Sequence, residues 1–268
     1  MKYPIKELSI VEILSNSIRF SIDNFTFLAV LAGIWFLPRL AISLISETYS
    51  VTHENIGFAV WSGTMYLSHP PLSVAILNLF VFILTDTICT AAVAWSVTQR
   101  FLGFDISVRD CFLAVSSRIG RIFGASILSG LGIVFGSILC LIPGVYLALA
   151  WFILYPVLMY EDLRATEAMA RSRNLMRGQK LRALAVIVIT TAAALAVSLL
   201  FSIIPGLYFS IVASAAIATI VLVFNAAMAS VMYVSARCCI EPISMETLIQ
   251  TIEAARENDG FCSEHAPN

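Results

Sequence analysis

The chain has 268 residues, 59% of them hydrophobic and only 12% charged, where a soluble domain carries about 25% charged residues. No water-soluble core needs that much apolar surface. A net charge of -1 argues against a nucleic-acid binder, which requires a basic face to neutralise phosphates.

A helix that crosses a bilayer needs about 20 predominantly apolar residues, and irregular backbone cannot face lipid because its polar groups go unsatisfied. Charge-free runs therefore count helices. A first span is expected near 26–46 and a second near 72–97, joined by a loop over 47–71. The run from Ile122 to Tyr160 contains no charge and is divided at Pro143-Gly144, which predicts spans near 122–141 and 145–160. The run from Ala183 to Ala236 is divided in the same way at Pro205-Gly206, which predicts spans near 183–203 and 208–233. The expected fold is all-α: a polytopic membrane protein with six transmembrane helices in three hairpins and cytoplasmic interfacial amphipathic helices.

Fifteen of the sixteen basic residues fall in segments that this count puts on one side of the bilayer, and the other, Arg39, is inside the first span. The positive-inside rule then predicts that the N-terminus and C-terminus are both cytoplasmic. The organisation is an interfacial helix over 1–25, a six-helix domain over 26–236, and a C-terminal helix with a disordered tail over 237–268.

Amphipathic stretches precede each hairpin. In the first, Val11, Leu14, Ile18, Ile22 and Phe25 recur at helical spacing against Glu12, Ser15, Asn16, Arg19 and Asp23, an interfacial pattern. In the second, Ser107 and Asp110 form a capping box ahead of Val108, Cys111, Val115 and Ile119. The third runs from Glu161 to Gly178. Lys2 and Lys6 precede the first stretch in place of a short apolar core with a cleavage site, so no cleaved signal peptide is expected.

The two apolar runs share an echo, Ile142-Pro143-Gly144-Val145-Tyr146 and Ile204-Pro205-Gly206-Leu207-Tyr208. Each copy is expected at an outer turn, where proline ends one helix, glycine permits the reversal, and Tyr146 or Tyr208 anchors at the headgroups.

The first of these copies, with Tyr155-Pro156, Glu161, Glu167-Ala168-Met169-Ala170-Arg171-Ser172, Leu175 and Gly178, resembles a bacterial inner-membrane family. That family is the membrane domain attached to some glycerophosphodiester phosphodiesterases, with its stand-alone YciC-like uncharacterised relatives. The helix pattern extends the resemblance over about residues 10–237, and the specific motifs occupy 142–178. The resemblance implies a six-helix membrane domain in the bacterial inner membrane and carries over no activity. In the phosphodiesterases a separate soluble domain with histidine and carboxylate metal ligands does the catalysis, and only 31 residues follow Arg237 here.

The sequence offers no catalytic, cofactor-binding or metal-binding motif: no paired-histidine zinc site, no phosphate-cradling glycine loop, no nucleophile elbow. The six cysteines, Cys89, Cys111, Cys140, Cys238, Cys239 and Cys262, form neither a disulfide framework nor a metal-ligand spacing. Cys238 and Cys239, after Arg237, read more simply as small juxtamembrane residues than as lipidation sites. His53 with Glu54 and His69 reads as solvated loop before it reads as a metal site, and His265 is in the tail.

Ionisable residues inside spans are functional candidates by default. Asp86, among Thr85, Thr87 and Thr90, and Arg39, after Pro38, form such a candidate pair. It reads first as an ion pair joining two helices, and second as part of a polar pathway with the Ile34 carbonyl freed by Pro38. Asn225 reads as an interhelical hydrogen bond. The basic stretch from Arg164 to Arg182 serves either as a topogenic signal or as a site for anionic lipid headgroups. The chain is thus expected to be non-enzymatic, with no cofactor, structural or accessory in role, and with the lipid bilayer and a membrane-protein partner as its contacts. A small transporter or lipid-handling protein with a polar site at Arg39 and Asp86 is the rival, and an intramembrane enzyme ranks third.

Overall fold

The computed structural model describes residues 10–53, 72–101, 104, 106–202 and 207–240. All regular structure among them is helical. In chain order the elements are α1 (Ile10–Asp23), α2 (Phe25–His53), α3 (Leu72–Phe101), α4 (Val108–Ser116), α5 (Ile119–Leu139), α6 (Leu141–Ala150), α7 (Leu154–Tyr160), α8 (Ala165–Leu175), α9 (Lys180–Ser202) and α10 (Leu207–Ile240). Among the described residues five stretches are long and apolar enough to cross a membrane: Leu79–Arg100, Ile119–Leu139, Leu141–Tyr160, Lys180–Phe201 and Val212–Arg237. The sixth depends on counting α1 with the first part of α2, which are bent 85° apart.

Helices α2, α3 and α10 form the centre, with α9 against α10 and α7 against α3. Burial is uneven along them. Residues 91–99 of α3 and 226–237 of α10 are buried without a break, whereas Ile76, Leu79 and Phe80 on α3 and Val212 and Ile220 on α10 are exposed. The packed half is where Arg100 and Arg237 lie, and is called the basic end below.

Helix α1 has three sides. Ile13, Ser17 and Phe20 are buried, against α10 and α9. Val11, Ile18 and Ile22 form an exposed apolar side, continued by exposed Phe25 at the start of α2, and Ser15, Arg19 and Asp23 an exposed polar one. An apolar side presented to the surroundings together with a polar one is the arrangement of a helix lying along a membrane surface.

Helix α4 begins as its sequence predicts. Ser107 Oγ accepts from the Asp110 N–H at 3.3 Å and the Asp110 carboxylate accepts from the Ser107 N–H at 2.8 Å, while Cys111 and Val115 are buried and Ile119 is exposed.

The run from Ile122 to Tyr160 differs from its expected form. The reversal falls at Cys140, whose backbone is extended, and Pro143 and Gly144 lie inside α6. Pro143 occupies the first helical turn, where the missing N–H costs nothing. Gly144 serves close approach in place of a turn: a Cβ there would lie 2.9 Å from Ser137 Cα on α5. Gly132 and Gly136 add to this seam, the first against Trp151 and the second against Gly144 and Leu147. Small residues four apart allow two helices to pack backbone to backbone.

The run from Leu141 to Tyr160 is interrupted at Trp151–Ile153. Pro156 explains it, since its nitrogen has no hydrogen to donate to the Phe152 carbonyl and its ring crowds that oxygen. The second copy of the motif, Pro205 and Gly206, lies outside the described residues, as do the side chain of Tyr208, residues 54–71 and the whole of 241–268; of the loop expected over 47–71, residues 47–53 are instead the last turns of α2.

Candidate functional site

Polar side chains converge at the basic end, where the chain leaves α7, turns through α8 and meets the last turns of α10. Glu161 follows α7 directly. Its Oε2 accepts from Arg171 Nε at 2.8 Å and its Oε1 lies 3.9 Å from Arg237 Nε. Tyr233 donates its hydroxyl to Glu161 Oε1 at 3.3 Å, and that hydroxyl accepts from Arg237 Nη1 at 3.2 Å. One carboxylate thus stands between two guanidiniums, with a phenol bridging one arm. Above it, the Tyr160 and Tyr233 rings stack at 6.1 Å, and Tyr160 donates to the Trp95 carbonyl at 2.6 Å.

The neighbouring bonds tie the same elements together. Ser172 donates to the Ala150 carbonyl at 3.0 Å, satisfying a group at the edge of the α6–α7 interruption, a bond worth about 1 kcal/mol. Ser230 on α10 reaches the Ala94 carbonyl of α3 at 3.2 Å. Gly178 has φ +83, a left-handed conformation that favours glycine, and it lets the chain turn from α8 into α9.

Of the motif residues, Glu161 and Arg171 pair directly, Ser172 ties α8 to the end of α6, and Gly178 shapes the turn into α9. Sequence reasoning missed Tyr233 and the part played by Tyr160 and Arg237. The signal was available: Ser230, Tyr233 and Arg237 recur three and four apart at the end of an apolar run, so they share one helix face.

Other candidates fall elsewhere. The side chain of Arg39 lies outside the described residues, so its expected pairing with Asp86 does too. Asp86, with Trp35, Thr85, Cys89, Thr219 and Leu222, lines a space of about 10 Å³. That is room for about one water. Asn225 accepts from Thr190 Oγ1 at 3.4 Å, the interhelical bond read from the sequence. An apolar crevice of about 340 Å³ lies between α2 and α10, lined by Phe25, Phe36, Ile220 and Phe224 among others. Among the described residues no three histidine, cysteine or acidic side chains cluster as metal ligands do.

Tyr146, expected as an outer-turn anchor, lies beside a basic residue: the ammonium of Lys180, at the first turn of α9, is 3.7 Å from the centre of its ring.

Cys111, in α4, is buried against the Ser107 carbonyl at 3.5 Å. Burial pushes its thiol up to about 12, with the neighbouring Asp110 carboxylate adding to the shift and Arg100 opposing it. The thiolate is the reacting species, so Cys111 is expected to resist a maleimide at pH 7.5 while exposed Cys140 is modified. Peptide mass spectrometry of the labelled, folded protein checks this, and equal modification of both would refute the buried placement.

Compared with known proteins, the chain matches no family model, no curated protein and no solved structure.

Proposed function

We infer that the chain is a non-enzymatic, multi-pass integral protein of the bacterial inner membrane that organises the bilayer or assists another membrane component. The resemblance to the membrane domain of glycerophosphodiester phosphodiesterases supports the location and the six-span plan. Basic residues concentrated at one end support a cytoplasmic position for that end, and with it both termini. The observation that carries the accessory role is the Glu161 cluster. Its charged groups are engaged with one another and hold α7, α8 and α10 in place, while the space at Asp86 admits about one water and no solute.

The rival reading, a transporter or lipid-handling protein, draws support from the apolar crevice, since Thr219 lines both it and the space at Asp86. Reconstitution into liposomes separates the two. The accessory role predicts proton leak and fluorescent-lipid scrambling no faster than in protein-free vesicles. A leak or a scrambling rate that Asp86→Asn abolishes would establish the rival.

A further inference from the structure

The hairpin of α5 and α6 has the length and apolarity of a pair of spans, but its neighbours give it another direction. At its root, Ser126 Oγ lies 2.6 Å from Thr87 Oγ1 and the Phe123 ring 6.4 Å from that of Phe80. At 1.5 Å per residue, Thr87 is about 20 Å and Phe80 about 30 Å up α3 from Arg100. Toward its tip, Tyr146 lies under Lys180. Lys180 in turn is about 15 Å nearer the basic end than Thr190, which meets Asn225 on α10.

A helix running parallel to α3 would carry Gly136 about 15 Å farther from the basic end than Ser126. Gly136 instead packs on Gly144 and Leu147, beside Tyr146 and so beside the base of α9. Helix α5 therefore runs across the axis of the bundle.

Two further observations agree. Helix α8 packs along α5, and Glu167, Arg173 and Asn174 on α8 are exposed, which requires water or headgroups beside them. The opposite side of the hairpin is apolar and exposed, with Leu131, Phe135, Ile138, Leu139 and Ile142 prominent. Arg173 and Arg177 stand near the Tyr146 ring along with Lys180. Cations bordering an exposed apolar surface match a lipid leaflet with anionic headgroups.

We propose that the α5–α6 hairpin does not make two full spans but slants from a root deep in the bundle back to the basic end, so that its tip lies in the leaflet there, its apolar side among acyl chains and Lys180, Arg173 and Arg177 among anionic headgroups. The distribution of charges is the same for such a paddle as for two full spans, because in both the chain returns to the side it left. The proposal rests on the membrane location inferred above, replaces two of its six spans with this paddle, and stands whether the protein is an accessory component or a transporter.

The test uses full-length protein with Cys238, Cys239 and Cys262 changed to Ser and the buried Cys89 and Cys111 retained. Nitroxides are placed on native Cys140 and on Arg177→Cys, both exposed positions, in nanodiscs of phosphatidylcholine and phosphatidylglycerol. The expected spin–spin distance is well below the ~30 Å hydrocarbon thickness. A label at Leu131→Cys should be accessible to oxygen and shielded from a water-soluble nickel relaxant. A Cys140 to Arg177→Cys distance of ~30 Å or more would restore the full spans. Nickel access at Leu131→Cys would make the hairpin a water-exposed flap, and an intermolecular distance that disappears on dilution with unlabelled protein would make its occupant a second copy; either overturns the lipid assignment.

Discussion

Glu161→Leu is expected to lower stability in mild detergent by about 3–5 kcal/mol, the range for removing one partner of a buried ion pair. Glu161 is 14% exposed and Arg237 10%, so the loss leaves a guanidinium in a site with little water to solvate it. Arg171 is 27% exposed, and solvent screens that arm more. Arg237→Leu alone should also be costly, whereas the double variant should lose distinctly less than the sum, because neither charge is then left without its counterpart. Thermal unfolding of the wild type, the two single variants and the double variant provides the measurement. Strict additivity would mean that Glu161 and Arg237 contribute independently and that the cluster is no unit.

Gly144→Ala is expected to cost about 1–3 kcal/mol, the usual range for adding volume to a close-packed site. The added methyl group meets the Ser137 backbone, which cannot rotate away as a side chain would, so α5 and α6 have to separate. Gly132→Ala should do less harm, since its Cβ meets the far end of the Trp151 ring. Gly124→Ala, with nothing within 4 Å of the new atom, should be neutral or slightly stabilising through helix propensity. The order of the three melting temperatures is the result to compare. A Gly124→Ala loss equal to that of Gly144→Ala would remove the backbone contact as the explanation.

The helices were legible in the sequence because their signal is a physical requirement: apolar runs without charge, ended by charge or by backbone-breaking residues. The start of α4 was legible for a similar reason, as Ser107 and Asp110 satisfy backbone groups locally. Residues whose role depends on distant partners were harder. The motif from Glu161 to Gly178 contains Glu161 and Arg171, but Tyr233 and Arg237 join their cluster through the packing of α10 against α7, which no local pattern records. Helix α1 was read with two faces and has three, because Ile13, Ser17 and Phe20 include a serine and do not form a clean apolar stripe. Pro143-Gly144 was read as a turn since proline and glycine serve reversals so often; here the reversal falls at Cys140 and the glycine's small size matters more than its freedom of backbone.

The uneven burial of α3 and α10 has a consequence for how the molecule responds to its surroundings. Each helix is held along one half by other side chains and along the other by whatever apolar medium envelops it. The first half opens only if the packing of several helices is lost together, and so belongs to a cooperative unit, while the second has fewer such partners to lose. A solvent exchange that thins or shortens the apolar envelope therefore acts on Ile76 to Phe80 and on Val212 to Ile220 before it reaches the buried stretches near Trp95 and Tyr233. Fraying would begin at the end of the bundle remote from the arginines and halt where protein contacts take over, leaving a compact remnant built around the basic end.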